Sequence, residues 1–259
     1  MALAVVACVA CKDKQPAKQA PSPATEREDQ PRPKPPSLET ATVTGPGLVP
    51  ATKLGPEITL TKTELKLDGR TIAAVGADTL DPAALAALTR QLETKATSDA
   101  PVAITFDATL PYRRVGQLLD ALRRAGFRNV ALLAGSGSQM IPIELPDAAE
   151  INGPGLRLVI SLGRTQLRLW SASGLEGTKR RPKLSMAVGD TTSYAPVTRA
   201  LAEIVQRRWP DGKRPPEDRS IIVQLDGNQS VQAMLSLLAA VRADGSLELF
   251  PNIYLAGGM

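Results

Sequence analysis

The sequence predicts an α+β protein built as two tandem small domains, each a β-sheet with two helices on one face, after an extended N-terminal tether. The first observation behind this is a duplication. Val102-Ala103-Ile104-Thr105-Phe106-Asp107, followed by the helical pattern Val115, Leu118, Leu119, Leu122 and then Arg123 and Ala125-Gly126, recurs further on. The second copy reads Ile221-Ile222-Val223-Gln224-Leu225-Asp226, then Met234, Leu237, Leu238, Val241, Arg242 and Asp244-Gly245. Each series runs into an apolar segment, 129–135 in the first and 252–257 in the second. A repeat of this kind decides the fold class before any single motif does. The second observation is length: 259 residues suit two domains of modest size. The third is composition, 43% apolar but only 3% aromatic, so both cores must be made of Leu, Val, Ile and Ala.

In the first unit, Ile58-Thr59-Leu60 and Leu65-Lys66-Leu67 alternate as half-buried strands do. Asp68-Gly69 is a turn signal before a third strand at Thr71-Ile72-Ala73. Asp81 as N-cap and Pro82 at the first helical position start a helix whose Leu85, Leu88 and Leu92 share a face. Pro101 to Phe106 reads as a buried strand, Tyr112 to Arg124 as a second amphipathic helix ended by Gly126, and Val130 to Ala134 as the closing strand. In the second unit, Leu158 to Trp170 repeats the opening pair of strands. Ser171 to Lys183 is an inserted loop and Leu184 to Val188 a returning strand. Helices follow at Thr198 to Arg208 and Gln229 to Arg242, separated by a basic, proline-containing loop at Trp209 to Arg219 and a strand at Ile221 to Leu225. Leu247 to Phe250 and Asn252 to Leu255 finish the chain, with Pro251 breaking the run. The predicted boundaries are therefore 57–140 for the first domain, 141–155 for a connector and 156–259 for the second domain.

The N-terminus carries a different signal. Residues 2–10 are an apolar run much shorter than the roughly 20 residues a membrane-spanning helix needs. Residues 1–11 read instead as the hydrophobic core of a secretory signal. The small residues before Cys8 and Cys11 resemble a bacterial lipobox, making either cysteine the candidate for lipidation. No Lys or Arg precedes the run, so the expectation is a start codon further upstream; the alternative to a lipoprotein signal is a frayed apolar tail of a cytoplasmic protein. Residues 12–56 hold ten of the 22 prolines and few large apolar side chains, the composition of a disordered, partly stiff spacer. At about 3.1 Å per residue, such a spacer reaches on the order of 100 Å.

Several function classes are excluded. The net charge of +5 is mild, and basic residues are scattered rather than interleaved with aromatics, so nucleic acid is not an expected partner. There is no His, which removes the commonest general base and metal ligand. Cys8 and Cys11 have CxxC spacing but lack a second pair and a surrounding βα unit. Gly135-Ser136-Gly137-Ser138 and Gly153-Pro154-Gly155 match no phosphate-binding fingerprint and read as turn and connector. No catalytic residue, cofactor or metal ligand is assigned. Lys179-Arg180-Arg181-Pro182-Lys183, with Lys213-Arg214, reads as a solvated loop or as a contact for anionic headgroups or cell-wall carboxylates.

One series of residues resembles a known family. Asp107 at a strand end, Tyr112 opening a helix with Val115, Leu118 and Leu119, and then Ala125-Gly126-Phe127 before Val130-Ala131-Leu132 are similar to the periplasmic domain of the ExbD/TolR (biopolymer transport) family. The resemblance runs from about Glu57 to Gly135 and returns more loosely from Leu156 to Gly257, where Val231 stands in place of Tyr112. The resemblance implies a non-enzymatic, envelope-facing module that dimerises, contacts partner proteins of the ExbB/TolQ kind, and contacts peptidoglycan. Members carry a membrane-spanning helix with a proton-handling Asp; the run at 2–10 has no carboxylate, so proton conduction is not implied here. The expectation is a lipid-anchored, periplasm-facing accessory to a proton-driven transport or motor complex, with a structural peptidoglycan-binding lipoprotein as the alternative. A hydrolase built on Asp107 and Asp226 is a third reading, disfavoured because no second titratable group accompanies them. Asp107, Tyr112 and Asp226 are the candidate partner-binding residues. For the two aspartates, capping of the following helix is the preferred structural role, and Tyr112 reads equally as a packing residue.

Overall fold

The computed structural model describes residues 38–76, 79–95, 100–135, 137–145, 155–189 and 193–256. Cys8, Cys11, the spacer up to residue 37, Gly153-Pro154 and Gly257 lie outside the described residues.

The first half opens with a short strand β1 (Val49–Pro50), then β2 (Glu57–Leu60), β3 (Glu64–Leu67) and β4 (Arg70–Ala74). β2, β3 and β4 form an antiparallel meander because Ile58, Leu60, Leu65 and Leu67 all alternate into the core. The β3–β4 turn uses two left-handed residues, Asp68 (φ 48°) and Gly69 (φ 76°), the backbone a tight hairpin demands. Helix α1 (Pro82–Lys95) starts as expected, with Asp81 Oδ1 accepting from Ala83 N at 3.0 Å. β5 (Val102–Phe106) runs parallel to β2. Helix α2 spans Tyr112–Arg124; it stops where Gly126 (φ 88°) lets Phe127 N reach back to Leu122 O at 3.0 Å. β6 (Asn129–Ala134) lies parallel to β5, and β7 (Gln139–Glu144) turns back antiparallel to β6.

The second half holds β8 (Leu158–Leu162), β9 (Gln166–Ser171), β10 (Leu184–Ala187), helix α3 (Ala195–Arg208) and a 3-10 turn at Pro216–Arg219. β11 (Ser220–Leu225), helix α4 (Val231–Arg242), a small hairpin of β12 (Ala243–Asp244) and β13 (Leu247–Glu248), and β14 (Asn252–Ala256) complete it. α3 begins three residues before the expected Thr198. α4 begins two residues after the expected Gln229, whose carbonyl is occupied elsewhere, as shown below.

Ten of these strands pair around β7 into one continuous sheet of order β10-β9-β8-β11-β14-β7-β6-β5-β2-β3-β4, with β1 on β7. On one side of β7 the order is β14-β11-β8-β9-β10; on the other it is β6-β5-β2-β3-β4. The correspondence extends to register. Leu60 faces Phe106 and Leu65 in the first arm as Leu162 faces Leu225 and Leu167 in the second. Asp107 N donates to Leu60 O at 3.1 Å, and Asp226 N to Leu162 O at 2.8 Å. Val75 N bonds Thr63 O in the first hairpin, and Val188 N bonds Thr165 O in the second.

Three expectations need correction. The arms do not have separate cores: one apolar cluster runs from Ile58 through Leu118 and Leu237 to Leu255. The connector expected over 141–155 begins inside β7, which pairs with β6 along its length and joins β14 at Tyr254 and Glu144. The spacer expected up to Pro56 is built into the fold from residue 38 on. Ala41 and Val43 are buried, Glu39 O accepts from Ala108 N, and Ala41 O accepts from Gly135 N. Gly47 lies so close to α4 that a Cβ there would sit 2.0 Å from Ala239 O. Backbone pairing and close approach to a helix overrode the proline-rich composition in this stretch. On the opposite face of the sheet, Val159, Trp170 and Ile222 form a small second cluster.

Candidate functional site

The site begins with a problem of helix geometry. The first N–H groups of a helix have no partner inside it and need one from outside. α2 follows Pro111, which has no capping side chain. Its first amides are satisfied from the other arm: Tyr112 N donates to Gln229 O at 2.7 Å and Arg113 N to Gly227 O at 2.9 Å. α4 is treated reciprocally, Val231 N donating to Leu110 O at 2.9 Å and Gln232 N to Ala108 O at 3.0 Å. Pro111 and Ser230 face each other across this seam as an antiparallel bridge. Each arm's strand-to-helix loop therefore caps the helix of the other, the self-complementary pattern of a two-fold contact.

The candidate residues lie around this seam. Asp107 is buried, and its Oδ1 accepts from Thr109 N at 3.0 Å and Thr109 Oγ1 at 2.7 Å, with Lys62 Nζ at 3.9 Å. Asp226 repeats the turn, its Oδ1 accepting from Asn228 N at 2.9 Å and Asn228 Nδ2 at 3.0 Å while Arg164 Nε approaches Oδ2 to 3.5 Å. The Asn228 backbone N–H holds the Asp226 carboxyl below its ordinary range, and the Asn228 amide and Arg164 act in the same direction. Both aspartates thus shape the loop ahead of a helix rather than capping its first turn; the capping side chain on α4 is Ser230, accepting from Ala233 N at 3.1 Å. Tyr112 is 1% exposed, and its hydroxyl donates to Ala256 O at 2.8 Å in the last strand of the other arm. Burial raises its pKa. As a contact for an outside partner it is out of reach: it is a packing residue between the arms. Asp226 alone of the three has its side chain partly open to solvent, at 25%.

Beside Asp226 lies a cleft of about 630 Å³ between Arg164, Val188-Gly189, Tyr194 and the start of α4 at Asn228 and Ala233. The first arm fills the equivalent space with Arg114, which is 5% exposed and donates through Nη2 to Gly76 O at 2.8 Å and Nη1 to Lys62 O at 3.4 Å. By the register above, Arg114 corresponds to Ala233, Lys62 to Arg164 and Gly76 to Gly189. With alanine at that position, the second arm keeps a cavity there. The sequence reading missed this, although setting the two series side by side puts Arg114 opposite Ala233. The cleft's lining is polar and amide-rich, and its titratable groups, Arg164, Asp226 at its edge and buried Tyr194, do not form an acid–base pair. Among the described residues no group of three or more Asp, Glu, Cys or His gathers as a metal site would require, and no helix is long and apolar enough to cross a membrane.

Residues 27–136 match a family model, that of the biopolymer transport protein ExbD/TolR. The match covers the first arm from β1 through β6, including both of its helices, and stops before β7. It supports the resemblance carried by Asp107, Tyr112 and Ala125-Gly126-Phe127. No curated protein and no solved structure matches the chain.

Proposed function

We propose that this protein is a non-enzymatic lipoprotein of the bacterial envelope, acting as an adaptor to a proton-driven transport or motor complex. In this reading Cys8 or Cys11 carries the lipid, the proline-rich stretch sets the reach, and the folded residues bind partners on the periplasmic side. The single observation that carries it is the family match over residues 27–136. The second arm is read as a diverged copy of the first, so that one chain holds inside itself the pairing that two separate subunits would otherwise make. The mirrored strand order around β7 and the reciprocal capping of α2 and α4 support this duplication. The helices of residues 38–256 are too short or too polar to span a bilayer, so the role assigned to them is contact, not proton conduction.

The polar cleft at Ala233 favours a second reading, a structural lipoprotein that holds peptidoglycan without a motor partner. In-cell cross-linking of the tagged full chain, followed by identification of what it captures, separates the two. Recovery of a proton-channel subunit of the ExbB/TolQ kind is expected. Recovery of peptidoglycan fragments alone would overturn the motor reading.

A further inference from the structure

The two arms differ most at their outer hairpins. The β3–β4 turn is two residues, whereas β9 and β10 are joined by the insertion at 172–183. This insertion is a built object. Gly177 (φ 79°) bridges Pro182, and a Cβ at Gly177 would sit 2.7 Å from both Arg181 O and Lys183 N. Thr178 and Arg181 exchange backbone bonds of 2.9 and 3.0 Å, leaving Lys179 and Arg180 at the exposed tip.

The loop also inverts the usual burial order. Glu176 is 3% exposed, clamped by Arg207 and Arg208 from the last turn of α3, while its neighbour Leu175 is 62% exposed. Arg208 Nη2 also donates to Leu175 O at 3.3 Å, fixing the backbone that turns this leucine outward. Among the described residues the only other large apolar side chain classed as exposed is Leu38, at 37%. Lys179, Arg180 and Arg181 pair with no carboxylate among the described residues. The acidic groups nearby are already engaged: Glu176 in its clamp, and Glu203 facing Lys183 at 3.9 Å.

A protruding leucine beside unpaired cations is the chemistry of a contact with an anionic bilayer surface, in which the apolar side chain enters the headgroup boundary and the cations meet lipid phosphates. We propose that the β9–β10 loop is a membrane-surface contact, with Leu175 as its apolar wedge and Lys179, Arg180 and Arg181 as its headgroup ligands. The Glu176–Arg207–Arg208 clamp holds the loop in this form before contact. The proposal is independent of the lipid anchor and of the motor partner, since it rests on residues of the second arm, more than 160 positions along the sequence from Cys8 and Cys11.

The test uses the full chain with Cys8 and Cys11 replaced by Ser, so that no acyl group contributes. Co-sedimentation with phosphatidylcholine vesicles is compared with vesicles that also contain phosphatidylglycerol, at low and high salt. Binding is expected only to the anionic vesicles and is expected to fall with salt. Replacing Lys179, Arg180 and Arg181 by Ser lowers it by about fivefold per charge, on the order of 100-fold together. Leu175→Trp in the same chain should show blue-shifted emission on binding, and Leu175→Ser should weaken binding with every charge retained. Equal binding by the parent and the triple-serine chain overturns the proposal. So does unshifted Leu175→Trp emission, and binding to polyglutamate with no vesicle binding would assign the loop to an acidic polymer instead.

Discussion

Val231→Pro isolates the seam between the arms. Val231 is the first residue of α4, and its N–H makes no bond within that helix; it donates to Leu110 O in the other arm at 2.9 Å. Proline is tolerated at this position because its fixed φ suits the first helical turn. The residue before a proline must be extended, and Ser230 already is, at φ −75° and ψ 154°. The substitution therefore suits the backbone of α4 but breaks the seam: it removes the hydrogen bond, drives the ring Cδ against Leu110 O and replaces a fully buried valine. A buried carbonyl left without its donor costs about 1–3 kcal/mol, to which the clash of the ring with Leu110 O adds. In a cooperative unit of this size that lowers Tm by about 2–4 °C per kcal/mol, so the hydrogen bond alone accounts for a loss on the order of 2–10 °C. Thermal unfolding measures the total, and native-state hydrogen exchange locates it. Because the arms share one core, the amides of α2 and β5 should lose as much protection as those of α4 and β11. Faster exchange confined to the second arm, or two separated unfolding transitions, would refute the reasoning that the arms fold as one unit.

Other perturbations probe the remaining contacts. Tyr112→Phe removes the hydroxyl bonded to Ala256 O and should cost about 1–2 kcal/mol in urea unfolding. Burial raises the folded pKa of this phenol, so its contribution is complete below the unfolded value near 10 and is lost as pH rises further; the variant should show a shallower alkaline loss of stability. For Glu176, burial works to raise the pKa, but the hydrogen bonds from Arg207 and Arg208 outweigh it and leave the carboxyl below its ordinary range. Its contribution is therefore present above the unfolded value of about 4.5 and lost as pH falls through the folded one. Glu176→Gln should cost about 1–3 kcal/mol at neutral pH and flatten the acid limb, read from urea midpoints across pH. Ala233→Arg should fill the cleft in the manner of Arg114; if the cleft holds cell-wall fragments, binding to purified peptidoglycan disappears while the unfolding midpoint holds or rises.

Legibility in the sequence followed the physical origin of each element. The limits of α2 could be read because its apolar face is strongly periodic and Gly126 supplies the positive φ that ends it. The meander of β2, β3 and β4 was legible from strict alternation and the Asp68-Gly69 turn. β1 was not, since two residues inside a proline-rich stretch pair with β7 through backbone groups that leave no side-chain pattern. The seam was hidden for the same reason: Leu110 O, Gln229 O, Gly227 O and Ala108 O act as caps through their carbonyls, which every residue possesses. Asp107 and Asp226 were correctly singled out as equivalent, but their local turns with Thr109 and Asn228 depend on loop geometry that strand and helix periods do not report. Tyr112 looked available to a partner because it opens a helix; only the second arm, folding back against it, places its hydroxyl on Ala256. The Glu176 clamp runs against pattern altogether, with the carboxylate inside and the leucine outside.

The most direct measurement of the central claim, that one chain holds a two-fold pairing within itself, is a disulfide trap at the seam. Pro111→Cys and Ser230→Cys, introduced together with Cys8 and Cys11 replaced by Ser, place two thiols on residues that face each other as a bridge. Oxidation should give an internally linked chain that still runs at the single-chain mass of 27.4 kDa and moves faster than its reduced form. A product at twice that mass, or no linkage, would contradict the account and place the pairing between chains or nowhere.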